Sequence, residues 1–99
     1  MDLEKLKIYS RQLRTIAEKY GITRIYIFGS IARGEAKLGS DIDFLVEMKD
    51  GASMFGVAGF CYESEQLLGA RVDVIPKSIL SNIRDNNFKA NVQRDAVLL

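Results

Sequence analysis

Residues 24–47 read RIYIFGSIARGEAKLGSDIDFLVE. The opening run, Arg24 to Phe28, is β-branched and aromatic, the composition of a short buried strand. Gly29-Ser30 stops it, and Ser30 is placed as the N-cap of a short helix through about Glu35. Gly34 and Gly39 frame a turn that Ser40 closes. Asp41 to Glu47 is a second strand, in which Ile42, Phe44 and Val46 alternate with Asp41, Asp43, Leu45 and Glu47. Only residues 29–40 join the two strands, and so short a link predicts antiparallel pairing.

Toward the N-terminus, Leu6, Tyr9, Leu13, Ile16 and Tyr20 recur at steps of three and four. That is one helical face, and it predicts an amphipathic helix over 3–20 ended by Gly21. Toward the C-terminus, Lys49-Asp50-Gly51 is a turn, and Ser53 is placed as the cap of a helix to about Leu68. Gly56 and Gly59 weaken that helix. Arg71 to Ile75 is a third strand, which Pro76 breaks. A long helical crossover joins the second and third strands, so they are expected to be parallel. Ser78 is placed as the cap of a further turn or two of helix, and residues 88–98 form the last helix. The order α-β-α-β-α-β-α gives an α/β (α+β) fold over a single domain, residues 1–99. Its expected core is a small mixed β-sheet of three to four strands flanked by helices.

The composition narrows the chemistry. Hydrophobic residues make up 47% of the 99 and charged residues 27%, the balance of a globular protein and not of a disordered or fibrous one. The pI near 7.8 lies below the value of about 9 common among nucleic-acid binders, so no direct nucleic-acid binding is expected. Charge is uneven: residues 1–24 hold six basic and three acidic residues, and residues 25–50 hold three basic and five acidic. The only cysteine is Cys61, which excludes an internal disulfide and fits a cytoplasmic location. No apolar run reaches the roughly 20 residues of a membrane span. There is no histidine. That excludes Ser-His-Asp and Cys-His catalysis and every imidazole zinc site. A general base must then be Asp, Glu, Lys or Tyr, and a metal must be held by oxygen.

Asp41 and Asp43 stand at i and i+2 of a strand and so point to one face. Two carboxylates that close repel each other, and a divalent cation removes the penalty. Asp73, between Val72 and Val74, reaches the same place if its strand is the neighbour. Three carboxylates without imidazole suit one or two magnesium ions. Gly29-Ser30 opens a helix, whose free N–H groups attract phosphate. Arg33, one turn on, is a candidate second contact to the same anion.

The whole pattern, Gly29-Ser30, ten residues, Asp41-Ile42-Asp43 and a third aspartate at 73, resembles the signature of the nucleotidyltransferase superfamily that includes DNA polymerase beta. The string GSIARGEAKLGSDIDFLVE is similar to its minimal branch. A Gly-Ser-x10-Asp-x-Asp match arises by chance in a chain this long roughly one time in a thousand. The resemblance implies that Asp41 and Asp43 hold the magnesium ions bridging the nucleotide phosphates. Asp73 would ligate the metal near the attacking oxygen and act as general base. Gly29 and Ser30 would hold the β- and γ-phosphates, and pyrophosphate would leave. Larger relatives carry a further domain, whereas 23 residues follow Pro76 here, so a second subunit or a second copy is expected to complete the cleft. Minimal members resemble antitoxins paired with a helical HEPN-type toxin, with ATP as donor and a toxin tyrosine as acceptor. Two rivals are a non-catalytic nucleotide-binding or partner-neutralising module and a transferase acting on a small hydroxylated molecule. The three intact aspartates argue against the first, and the short C-terminal segment against the second.

Overall fold

The computed structural model describes residues 1–99. Its elements in order are α1 (Leu3–Ile8), α2 (Ser10–Lys19), β1 (Ile22–Phe28), α3 (Gly29–Ala32) and β2 (Ile42–Met48). They continue with α4 (Phe55–Leu68), β3 (Val72–Pro76), α5 (Lys77–Leu80), α6 (Asn86–Asp95) and β4 (Val97–Leu98). The four strands form one mixed sheet in the order β3-β2-β1-β4. β1 is antiparallel to β2 and β4, and β2 is parallel to β3, as the lengths of the connections require.

Period-2 alternation divides the apolar residues between two faces of the sheet. Ile25, Ile27, Ile42, Phe44, Val46 and Val72 face α1, α2 and α4, where Leu6, Leu13, Ala17, Phe60 and Leu68 complete the main core. The Phe44 and Phe60 rings meet there at 5.8 Å. A register shift in β1 between Ile22 and Arg24 lets Ile22 join the same face as Ile25 despite odd spacing. Phe28 and Leu45 point the other way and form a smaller cluster with Leu80 of α5 and Val92 of α6. Leu45, grouped in the sequence with the polar positions of β2, is therefore buried, because helices cover both faces.

Several local expectations are corrected. The N-terminal helix is broken at Tyr9, whose N–H bonds to Leu6 O in a tightened turn; no glycine or proline marks the break, and Leu6 and Leu13 stay fully buried across it. Phe28, not Ser30, caps α3, and the helix ends at Ala32. Gly29 can take φ +76°, so the chain turns into the helix one residue earlier and Ser30 falls inside its first turn. α4 starts after Met54, although Ser53 Oγ still accepts from Phe55 N at 3.2 Å. Pro76, not Ser78, precedes α5. α6 begins earlier than its apolar pattern suggests because Asp85 caps it, accepting from Phe88 N at 3.1 Å. It also ends earlier, since Val97-Leu98 leaves the helix to pair with Tyr26 and Ile27.

Gly56 and Gly59, unfavourable for a helix on propensity, are explained by packing. A Cβ on Gly56 would strike the Tyr20 carbonyl, and one on Gly59 would strike the Tyr20 ring. These glycines let α4 lie close against α2, where the Tyr20 hydroxyl donates to Glu63 and Lys19 pairs with the same carboxylate. No helix is long and apolar enough to cross a membrane.

Candidate active site

One end of the sheet brings the candidate residues together. In the antiparallel pair Phe28 lies opposite Asp43, and in the parallel pair Asp43 lies beside Asp73. Neighbouring strands are about 4.8 Å apart, so the Asp43 and Asp73 carboxylates leave adjacent strands at the same level. Asp41 precedes β2 by one residue, and its carboxylate lies 3.9 Å from Arg71. Gly29 sits directly against Asp43: a Cβ there would overlap the carboxylate, and φ +76° disfavours any side chain. Gly29 is thus required both by backbone conformation and by contact with the acidic cluster. Ser30 follows it in the first turn of α3, on the same end of the sheet.

The electrostatics are those of a strained cluster. Burial raises the Asp43 carboxyl to about 6, and the charges of Asp73 and then Asp41 push in the same direction, with Arg33 opposing weakly. None of the ion pairs in the protein includes Asp43 or Asp73. The three carboxylates do not converge as a closed cage of ligands. Their chemistry nevertheless fits a hard divalent cation: oxygen donors only, crowded, and without a protein counter-charge on two of the three. A bound cation would remove the repulsion that the fold otherwise sustains.

This strain predicts a pH-dependent gain in stability. A carboxyl whose folded pKa is raised costs nothing below its unfolded value, and the penalty builds as pH rises from the unfolded to the folded value and is complete above it. For Asp43 the window runs from 3.8 to about 6. Asp43→Asn is expected to stabilise the protein in chelator by about 1 kcal/mol above that window, after allowance for solvent screening, and not below it. Thermal denaturation of both forms across the window checks this, and a difference independent of pH would contradict it.

Arg33 is placed near the site, but its guanidinium is already engaged. Nε donates to Glu35 at 3.0 Å and Nη1 to Asp95 at 2.8 Å. Asp95, the last residue of α6, was not among the sequence candidates. The signal available was an acid in the final turn of a helix, where the dipole disfavours it. Glu47, on the same strand face as Asp43, lies toward the opposite end and pairs with Lys77 and Arg24. No cavity encloses the three aspartates, Gly29 or Ser30. The largest hollow, about 590 Å³, lies at the far end of the sheet, lined by Tyr20, Lys49 and Ser53 among others. The acidic site is an open surface.

Residues 10–99 match the model of the nucleotidyltransferase domain family. A protein of Methanocaldococcus jannaschii, provisionally named a protein adenylyltransferase, is 43% identical over 76% of this chain and 77% of its own length. The protein adenylyltransferase MntA of Thermococcus cleftensis is 36% identical over 83% of this chain and 84% of its own. Among solved structures, a provisionally named minimal nucleotidyltransferase superposes with a TM-score of 0.79 at 33% identity, covering 100% of this chain and 97% of that one. The fold is also shared with a complex of tri-AMPylated Shewanella oneidensis HEPN toxin and MNT antitoxin (TM-score 0.63, 15% identity, 93% of this chain and 69% of that one). The chain belongs to the nucleotidyltransferase domain family and is a nucleotidyltransferase.

Proposed function

We propose that this nucleotidyltransferase moves AMP from ATP to a protein hydroxyl, the side chain of a tyrosine on a HEPN-type toxin, and so acts as the antitoxin of a pair. The observation that carries this reading is Asp43, set in register beside Asp73 and packed against Gly29. One spot thus combines crowded carboxylates with the start of a helix. The names of the relatives support adenylyl transfer, and the HEPN complex supports the partner.

In this reading Asp41, Asp43 and Asp73 hold magnesium, two ions in all, with ATP as substrate. Magnesium held there would supply charge neutralisation for the reacting phosphates. The N–H groups at Gly29 and Ser30 take the β- and γ-phosphate oxygens, and the Ser30 hydroxyl adds a donor. Arg33 contributes positive charge one turn along. The Asp73 carboxylate accepts the proton of the acceptor hydroxyl as its oxygen bonds to the α-phosphorus. The bond from that phosphorus to the bridging oxygen breaks, and pyrophosphate leaves. Because the site is open, the acceptor and the remaining wall of the cleft come from a second protein. A small hydroxylated acceptor is disfavoured, since no cavity at the aspartates could hold it.

Calorimetry tests the metal requirement. Mg²⁺ and ATP are expected to bind together, and neither tightly alone, because each supplies ligands or charge that the other lacks. Equal ATP affinity in magnesium and in chelator would contradict the assignment.

A further inference from the structure

The Arg33–Asp95 pair has features that helix stability does not explain. Asp95 ends α6, where a negative charge opposes the helix dipole, and its side chain is only 7% exposed. Arg33 Nη1 donates to its Oδ2 at 2.8 Å and Arg94 Nε to its Oδ1 at 3.1 Å. The two arginines hold the Asp95 carboxyl below its ordinary range and so offset the unfavourable helix position. The geometry of the Arg33–Asp95 pair shows what else it achieves. Arg33 lies one turn after Gly29, bonding its N–H to Gly29 O at 3.1 Å, and Gly29 touches the Asp43 carboxylate. A long, permanently charged side chain is therefore rooted one turn from three carboxylates, two of which have no ion-pair partner.

An arginine cannot be deprotonated in a protein and pairs readily with carboxylates. Arg33 is already near enough for its charge to act on the Asp43 carboxyl, and a released side chain would be drawn further toward Asp43 and Asp73 as an internal counter-ion. We infer that Asp95 is a positioning residue that restrains Arg33 from the acidic cluster and so keeps the three carboxylates open to a divalent cation. Glu35 supports it from the other side, with Arg33 Nε donating at 3.0 Å. The inference rests on the reading that Asp41, Asp43 and Asp73 bind the metal, and it adds an element outside that set on which metal affinity depends.

The test uses Mn²⁺ alone as the probe, with binding followed by water-proton relaxation and by the metal-induced rise in Tm. Asp95→Asn and Arg33→Gln both break the same ion pair, so a purely structural role predicts the same direction of change for both. The inference predicts opposite directions. Asp95→Asn removes the charged half of the pair, leaving Arg33 held by Glu35 alone, and should weaken Mn²⁺ binding by up to about fivefold, the scale of one exposed ion pair. Arg33→Gln removes the competitor and should bind Mn²⁺ as tightly as wild type or more so. The double variant Asp95→Asn/Arg33→Gln should return to the wild-type range.

Weakening in both single variants, or no weakening in Asp95→Asn, would overturn the inference. So would failure of Arg33→Gln to rescue Asp95→Asn. If Asp95→Asn does not fold, the charge-exchanged variant Arg33→Asp/Asp95→Arg retains the pair but moves the cation to α6. It should bind Mn²⁺ at least as well as wild type, and weaker binding would overturn the inference. Metal alone is expected to bind weakly, so Mn²⁺ is titrated to millimolar concentration; absence of even weak binding by wild type there would instead overturn the metal assignment itself, and this inference with it.

Discussion

Asp73→Asn is expected to keep ATP bound and to lose transfer. The substitution preserves shape and removes one charge. In the sheet Asp73 stands beside Asp43 on the neighbouring strand; under the proposed assignment Asp41 and Asp43 would remain to hold the phosphate-bound metal. The missing carboxylate is the one assigned to the attacking hydroxyl. Loss of a general base alone costs about 10²–10⁴ in rate, and a weakened metal site adds to that. Asp41→Asn and Asp43→Asn should instead impair nucleotide binding and transfer together. Titration with a non-hydrolysable ATP analogue in Mg²⁺, beside single-turnover transfer, separates the two patterns. Wild-type transfer by Asp73→Asn would show that another group, from this chain or its partner, accepts the proton.

The contrast among these aspartates also shows how far the sequence is legible. Period-2 alternation in 41–47 and the short link from 28 to 41 were enough to pair β1 with β2 antiparallel. The crossover through α4 made β2 and β3 parallel, but Asp73 reached the spot only on the condition that the two strands are neighbours, which the sheet meets. Those are local rules acting on long, regular stretches. Gly29-Ser30 was correctly read as the end of a strand and the start of a helix.

The cap itself was assigned one way and built another. Ser30 is a better capping residue than Phe28, but Gly29 alone can take the left-handed backbone and fit against Asp43, so the close approach decides where α3 begins. β4 was unreadable for a different reason. Two residues carry no periodicity, and Val97-Leu98 becomes a strand only because β1 offers an unpaired edge. Leu45 looked solvent-facing because α5 and α6, which bury it, lie more than 30 positions later. Asp95 was invisible as a site residue since its partner, Arg33, is distant in sequence and meets it only after α6 packs beside α3.

The fold also sustains a stability cost at the acidic cluster, where Asp43 is crowded by like charges and half withdrawn from water. Native proteins break such local rules at functional sites and compensate elsewhere. Here the compensation is the double-sided core, with Phe44 and Val46 on one face of β2 and Leu45 on the other. Asp43, the most crowded of the three carboxylates, thus sits on a strand buried on both faces.

The second large effect is the reaction itself. With Mg²⁺ and a HEPN-type partner, the wild-type chain should place an adenylyl group on a partner tyrosine and release pyrophosphate. Transfer should stop when magnesium is chelated. The most direct measurement supplies ATP carrying radiophosphorus at either the α- or the γ-position and follows label on the partner, with the modified residue located by mass spectrometry. The account predicts that the α-label is retained on tyrosine, that the γ-label leaves as pyrophosphate, and that Asp73→Asn transfers neither. Transfer of the γ-label, or no label from either position with a folded partner and Mg²⁺ present, would contradict it.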